Sequence, residues 1–231
     1  MRVDSITEES NVIALEKYLK ASNERDYVIF KIGTNLGLRV SDFLDIPKKE
    51  QALLKENGDK CYYDVKYFRD MCKKGKVCLT QQKTNKPVYF EIPQDIKELI
   101  LKYCGDRADD ECMFPSRFAN KHLTRVGYFL VLKDAAKALG LKENVGCHTM
   151  RKIFGYFYYK KYHDIRTLMA IYNHGKEEVT LRYIGISQKE IDESMKNFKV
   201  GTFEEDIGER ERNQMLELKR KMLKEKKNKK K

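Results

Sequence analysis

Apolar residues in this chain recur at helical spacing almost throughout, and in one place they alternate instead; that pattern constrains the fold more than any other feature. Val12, Leu15 and Leu19 mark one helical face, and Val28, Ile32 and Leu36 mark a second after a break at Ser22-Asn23, with Gly37 as a stop. Pro93 opens a helix whose face is Ile96, Leu99, Ile100 and Tyr103, closed by Gly105. Leu123, Val126 and Leu130 start another helix, ending at Gly140. Ile153 with Phe157, then Ile165, Leu168, Met169 and Tyr172, give two more stripes, and Ser187-Gln188-Lys189-Glu190 reads as a capping box for a helix to about Phe198. The exception is Val88, Phe90 and Ile92 alternating with Tyr89 and Glu91, which Val77–Thr80 can join as a hairpin through a turn near Thr84-Asn85-Lys86. The polar segment from Pro47 to Gly75 carries Tyr62, Tyr63, Val65, Tyr67 and Phe68, material for an irregular strand and a helix. The expectation is an α+β fold, mainly α-helical, with a small antiparallel β-sheet. One domain covers residues 1–200, and a charged, basic tail covers 201–231 with a thin apolar stripe at Met215, Leu218 and Met222.

Charge points to a polyanionic partner. Forty-seven Lys and Arg against 35 Asp and Glu leave +12, a balance that invites nucleic acid. The last thirteen residues hold nine bases and one acid, so the preceding 218 carry only +4. The partner must therefore be argued from dispersed residues. No run of about 18 apolar residues occurs, and nothing apolar follows Met1-Arg2-Val3-Asp4-Ser5, so a cytoplasmic protein without a membrane partner is expected. The six cysteines form no C-x-x-C pair and have no histidine at finger spacing; they are expected to be reduced thiols, with no metal site.

Two of the four histidines belong to one ordered pattern: His148-x-x-Arg151, then His174, then Tyr183 nine residues later. Spacing of i and i+3 puts His148 and Arg151 on one helical face, where an imidazole and a guanidinium can grip two oxygens of one phosphate. Arg39, in Gly37-Leu38-Arg39-Val40-Ser41-Asp42, supplies a second guanidinium at a helix junction, and Lys83 a mobile ammonium at the hairpin tip. Two arginines, a lysine, two histidines and a tyrosine, without an acidic metal cluster, suit metal-free phosphoryl transfer to a tyrosine.

Across Gly37–Asp42, Gln82–Pro93, Cys147–Phe157 and Asn173–Ile186 the chain resembles the tyrosine recombinase (phage integrase) family, and the resemblance covers residues 8–198. It implies a site-specific DNA recombinase or integrase with a tyrosine recombinase-like catalytic domain. Tyr183 attacks the scissile phosphodiester to form a 3′-phosphotyrosine, and a 5′-hydroxyl later reverses the step. Arg39 and Arg151 neutralise the phosphorane, His174 hydrogen-bonds it, Lys83 protonates the leaving 5′-oxygen, and His148 shares in taking the tyrosine proton. Asp42 supports the site without reacting. The resemblance implies no cofactor, neither metal nor ATP. The implied partner is double-stranded DNA, held by a homotetramer on two duplexes. Lys121 and Arg125, together with Lys219, Arg220 and Lys221 of the tail, are candidate DNA contacts. Family members usually carry an N-terminal core-binding domain; here the match begins almost at Met1, so the expectation is either a compact integrase or one that needs an accessory protein to supply that half. Asn173 and Gly175 flank His174 where the family more usually has Gly and Ser.

Other readings stand beside these. Lys86, Lys76 or Lys74 could serve in place of Lys83; Tyr183 is one of fourteen tyrosines; His122 and His163 read as ordinary polar histidines. The aromatic run Phe154, Tyr156, Phe157, Tyr158 and Tyr159 reads as helix packing. A topoisomerase IB-like relaxing enzyme and a DNA-binding regulator without turnover are the functional alternatives.

Overall fold

The structure is a computed structural model that describes residues 3–46, 62–83, 86–118, 121–186, 195–196, 198 and 213–219. It comprises two compact units, Met1–Ser187 and Gln188–Lys231. In the second, residues 213–219 are helical, with Met215, Leu216 and Leu218 exposed. The capping box at Ser187–Glu190 lies outside the described residues, as do Met222, Arg220 and Lys221.

The first unit is helical around one hairpin. Helix α1 (Glu9–Ser22) buries Leu15 and Leu19 and ends at Asn23, whose extended backbone breaks the helix. The Asn23 side chain accepts from the Arg25 N–H at 3.0 Å and so starts α2 (Glu24–Leu36). Helix α2 is buried on several faces, at Val28, Ile29, Phe30, Ile32 and Leu36. Such residues contribute about 1.5–3 kcal/mol each when fully buried. Gly37 ends α2 at φ 62, and a Cβ there would run into the Phe154 ring, so both backbone and packing require glycine. Helix α3 (Val40–Leu44) follows at once.

After the undescribed 47–61 segment, Asp64 caps α4 (Val65–Lys74) by accepting from the Tyr67 N–H at 2.8 Å. The expected irregular strand reduces to isolated bridges, Asp45 with Tyr62 and Asp64 with Cys112. Strands β1 (Lys76–Thr80) and β2 (Pro87–Glu91) pair antiparallel with Val77 opposite Phe90 and Leu79 opposite Val88. This is the two-stranded sheet that the alternation predicts. Pro93 opens α5 (Gln94–Cys104), and Gly105 closes it.

Helix α6 (Arg125–Ala138) is the one expected to end at Gly140. Its buried face is Tyr128, Leu132, Ala135 and Ala136, while Val126 and Leu130 are exposed. The run Val126–Leu132 is apolar nearly all round, so periodicity fits two faces. Tyr128 distinguishes them: its hydroxyl donates to the Asp26 carbonyl at 3.1 Å beneath α2.

Helices α7 (Thr149–Tyr162), α8 (Ile165–Tyr172) and α9 (Glu177–Ile184) close the unit. A small apolar cluster, Leu168, Tyr172 and Ile184, joins α8 and α9 to Phe154 and Tyr158 of α7. Gly155 makes this possible, because a Cβ there would strike the Tyr172 hydroxyl and Ile184. The N-terminal segment lies along the start of α7: Asp4 exchanges hydrogen bonds with Asn144, and Lys152 Nζ donates to the Val3 carbonyl at 2.8 Å. Among the described residues, no helix is long and apolar enough to cross a membrane.

Candidate active site

The site forms where four helix ends and the hairpin meet. Arg39 immediately precedes α3, His148 is the residue on which α7 begins, His174 follows the α8 C-terminus, and Tyr183 lies in the last turn of α9. The left-handed backbone of Asn173 (φ 54) turns the chain between α8 and His174.

These elements bring His148 and Tyr183 into contact, with Nδ1 and the phenol oxygen 3.2 Å apart. The Tyr183 ring also lies edge-on to His174, with ring centres 5.5 Å apart. Arg151 is almost wholly buried. Its Nη1 donates to the Gly37 carbonyl at 2.6 Å, and its guanidinium lies over the Tyr172 ring at 4.0 Å. The Tyr172 hydroxyl donates in turn to the Arg151 carbonyl at 2.5 Å, which fixes both ends of that residue. Arg151 Nε and Nη2 and Arg39 Nη1 are buried yet find no hydrogen-bond partner among the described residues. Buried donors of this kind are costly unless an acceptor arrives. Three guanidinium nitrogens without a hydrogen-bond acceptor, near Tyr183, can seat an oxyanion.

Asp42 is fully buried 3.6 Å from Arg39, an ion-pair distance rather than a hydrogen bond, and its other oxygen accepts from the Gln82 N–H at 3.1 Å. Burial raises its pKa, opposed by the Gln82 N–H and the charges of Arg39 and Arg151. Lys83 is exposed on the turn after β1, and its charge is felt at both His148 and His174. Lys76 sits at the opposite end of the hairpin, paired with Glu91, and Lys74 ends α4.

Desolvation and positive charge set the protonation states. Burial lowers the pKa of His148, helped by Arg39, Arg151, Arg125 and Lys83. Burial first, then Arg151, Arg39 and Lys83, take His174 down to about 4. Both imidazoles are neutral at pH 7. Burial raises the Tyr183 phenol against the pull of Arg151 and Arg39, so it stays protonated until something takes the proton. Burial brings Arg151 down to about 10, still charged at neutral pH.

The remaining candidates are surface residues. Arg125, exposed at the start of α6, lines a small hollow with Cys147 and His148. Lys121 is exposed in the loop before α6, and nothing described joins it to the site. Lys219 is exposed at the end of the 213–219 helix in the second unit. His122 pairs with Asp45 at 2.8 Å, and His163 caps α7.

Two residues of the site escape the sequence pattern. Tyr172 reads there only as part of an apolar stripe, and Thr180, whose hydroxyl lies 3.1 Å from His174 Nδ1, does not stand out at all. A tyrosine closing a stripe two residues before His174 is the available signal for Tyr172; Thr180 offers none.

A model of the phage integrase family matches residues 5–190. The probable integrase/recombinase YoeC of Bacillus subtilis (strain 168) is 34% identical over 174 residues, which is 75% of this chain and 84% of that one. Among solved structures, XerA recombinase superposes with a TM-score of 0.62 at 15% identity, covering 87% of this chain and 68% of that one. XerH recombinase, in a post-cleavage complex with its difH substrate, gives 0.60 at 16% identity, and covers 85% and 53%. A lambda integrase dimer bound to a core site gives 0.57 at 14%, and covers 88% and 52%. The chain thus spans about half the length of the latter two.

Proposed function

Because this chain belongs to the phage integrase family, we propose that it is a site-specific DNA recombinase or integrase that cuts and rejoins strands through a 3′-phosphotyrosine at Tyr183. The observation that carries this reading is the 3.2 Å contact between Tyr183 and a neutral His148, beside buried guanidinium donors that lack acceptors among the described residues. The Tyr183 oxygen attacks phosphorus and forms the phosphotyrosine bond, and its proton passes to His148 Nδ1. The bond from phosphorus to the 5′-oxygen breaks, and Lys83 gives that oxygen a proton. Arg39 and Arg151 bind the non-bridging oxygens, where charge accumulates in the transition state. With Thr180 donating to His174 Nδ1, the Nε2–H of His174 is left to donate to the same phosphate. The phosphoester energy is kept in the covalent intermediate, so the reverse step needs only a 5′-hydroxyl.

The proposed partner is duplex DNA, with four protomers on two duplexes. The DNA partner is supported by the XerH and lambda integrase structures, which are complexes with DNA. Sedimentation of protein with duplex tests the assembly; a complex that never exceeds one protomer per duplex overturns it.

The chemistry is tested on a nicked suicide duplex bearing a sequence selected by binding from a random pool. Wild-type protein should become covalently attached, and Tyr183→Phe should leave no adduct. Equal trapping by the two would refute the assignment.

A further inference from the structure

The exposed Lys83 has no side-chain partner among the described residues to aim it, so its reach depends on where the hairpin stem is held. Two adjacent glutamines tie that stem to two different elements. Gln82 faces α3: its N–H donates to Asp42 at 3.1 Å, and its Nε2 donates to the carbonyls of Ser41 at 2.7 Å and Asp45 at 2.9 Å. Gln81 faces α8. It is fully buried, its Oε1 accepts from Asn173 Nδ2 at 3.1 Å, and its Nε2 lies 3.4 Å from the Ile171 carbonyl. Its backbone N–H closes the hairpin on the Lys86 carbonyl at 2.9 Å.

The Gln81–Asn173 bond joins two short paths. Lys83 is two residues from Gln81, and His174 is one residue from Asn173. Asn173 occupies a left-handed position that glycine would fill without strain, so its side chain is not needed for the turn. What asparagine adds over glycine is the amide that reaches Gln81.

We propose that Gln81 and Asn173 are positioning residues: their amide-to-amide bond locks the hairpin that carries Lys83 to the turn that carries His174. The lock fixes the proton donor for the leaving 5′-oxygen relative to the groups that hold the phosphate. The inference rests on the assignment of Lys83 as general acid made above. Displacing a catalytic group by about 1 Å can cost about a hundredfold in rate, so removing the lock is expected to slow strand cleavage by about ten- to a hundredfold.

The test compares two suicide duplexes in the full-length protein. One carries the natural 5′-oxygen at the scissile position, and the other a 5′-bridging sulfur. A thiol ionises near pH 8–9, so the sulfur leaves as thiolate and needs no proton. Gln81→Ala, Asn173→Gly and Lys83→Ala should all be slow on the oxygen duplex and return close to the wild-type rate on the sulfur duplex. Arg151→Ala should be slow on both. Asn173→Gly keeps the turn's backbone, so it reports on the lock even if Gln81→Ala is poorly folded. The proposal is overturned if Asn173→Gly cleaves the oxygen duplex at the wild-type rate. It is equally overturned if that variant stays slow on sulfur while Lys83→Ala recovers; in both cases the general-acid assignment survives. If Lys83→Ala itself fails to recover, the general-acid assignment falls, and the lock falls with it.

Discussion

His174 carries a strongly displaced titration, and the displacement has a sign that stability measurements can read. Its imidazole falls from the ordinary value near 6.5 to about 4 in the fold, through burial and then Arg151, Arg39 and Lys83. As pH falls, the unfolded chain binds this proton first. The contribution of His174 to stability is therefore complete above about pH 6.5 and is lost progressively toward pH 4. The urea midpoint should drop across that window, and His174→Gln should flatten the drop; an unchanged slope would mean that the neighbouring charges do not act on this ring. Inorganic phosphate should oppose the drop, since an anion on Arg39 and Arg151 offsets the charges that depress both histidines. Its stabilising effect should disappear in Arg39→Ala. The residues proposed to react are conspicuous in sequence because each is chemically distinctive and they occur in a fixed order. Their supports are not: Thr180, Tyr172 and Gln81 are ordinary residues whose roles arise from tertiary neighbours, in the case of Gln81 a partner ninety-two positions away.

At the scale of elements, the site exists because α8 and α9 come close enough to α7 for Tyr172 and Tyr183 to reach Arg151 and His148. Gly155 sets that approach. Gly155→Ala must push away Tyr172 and Ile184, and overpacking of this kind costs about 1–3 kcal/mol. The melting temperature should fall, and adduct formation should fall further than the smaller folded fraction explains, because the displaced helices carry His174 and Tyr183. A variant that is destabilised yet cleaves normally would show that the site tolerates the shift. Most elements can be read from periodicity, since α1, α2, α5 and the hairpin each carry a periodic apolar set bounded by a cap, glycine or proline. Periodicity fails where it is ambiguous. Helix α6 offers two apolar faces, and the Tyr128 hydrogen bond to the Asp26 carbonyl that distinguishes them depends on tertiary structure. Helix α9 begins Glu177-Glu178 and buries only Thr180 and Ile184, too little for a stripe to be seen.

For the molecule as a whole, charge is concentrated at the C-terminal end, where residues 219–231 hold nine bases and one acid. Deleting them should flatten the plot of log affinity for duplex DNA against log salt by about 0.9 for each phosphate that these residues neutralise. An unaltered slope would assign all phosphate neutralisation to the remaining residues. The opposite end of the chain has a different bearing on the site. The Val3 carbonyl holds Lys152 Nζ, and that ammonium lies over the Tyr183 ring at 5.4 Å. The N-terminal segment is thus one side chain away from Tyr183. In mechanical terms it is a lever: tension applied ahead of Val3, from an optical trap or a bulky fused protein, would act on Lys152 and the face of Tyr183 before it loaded the helical core.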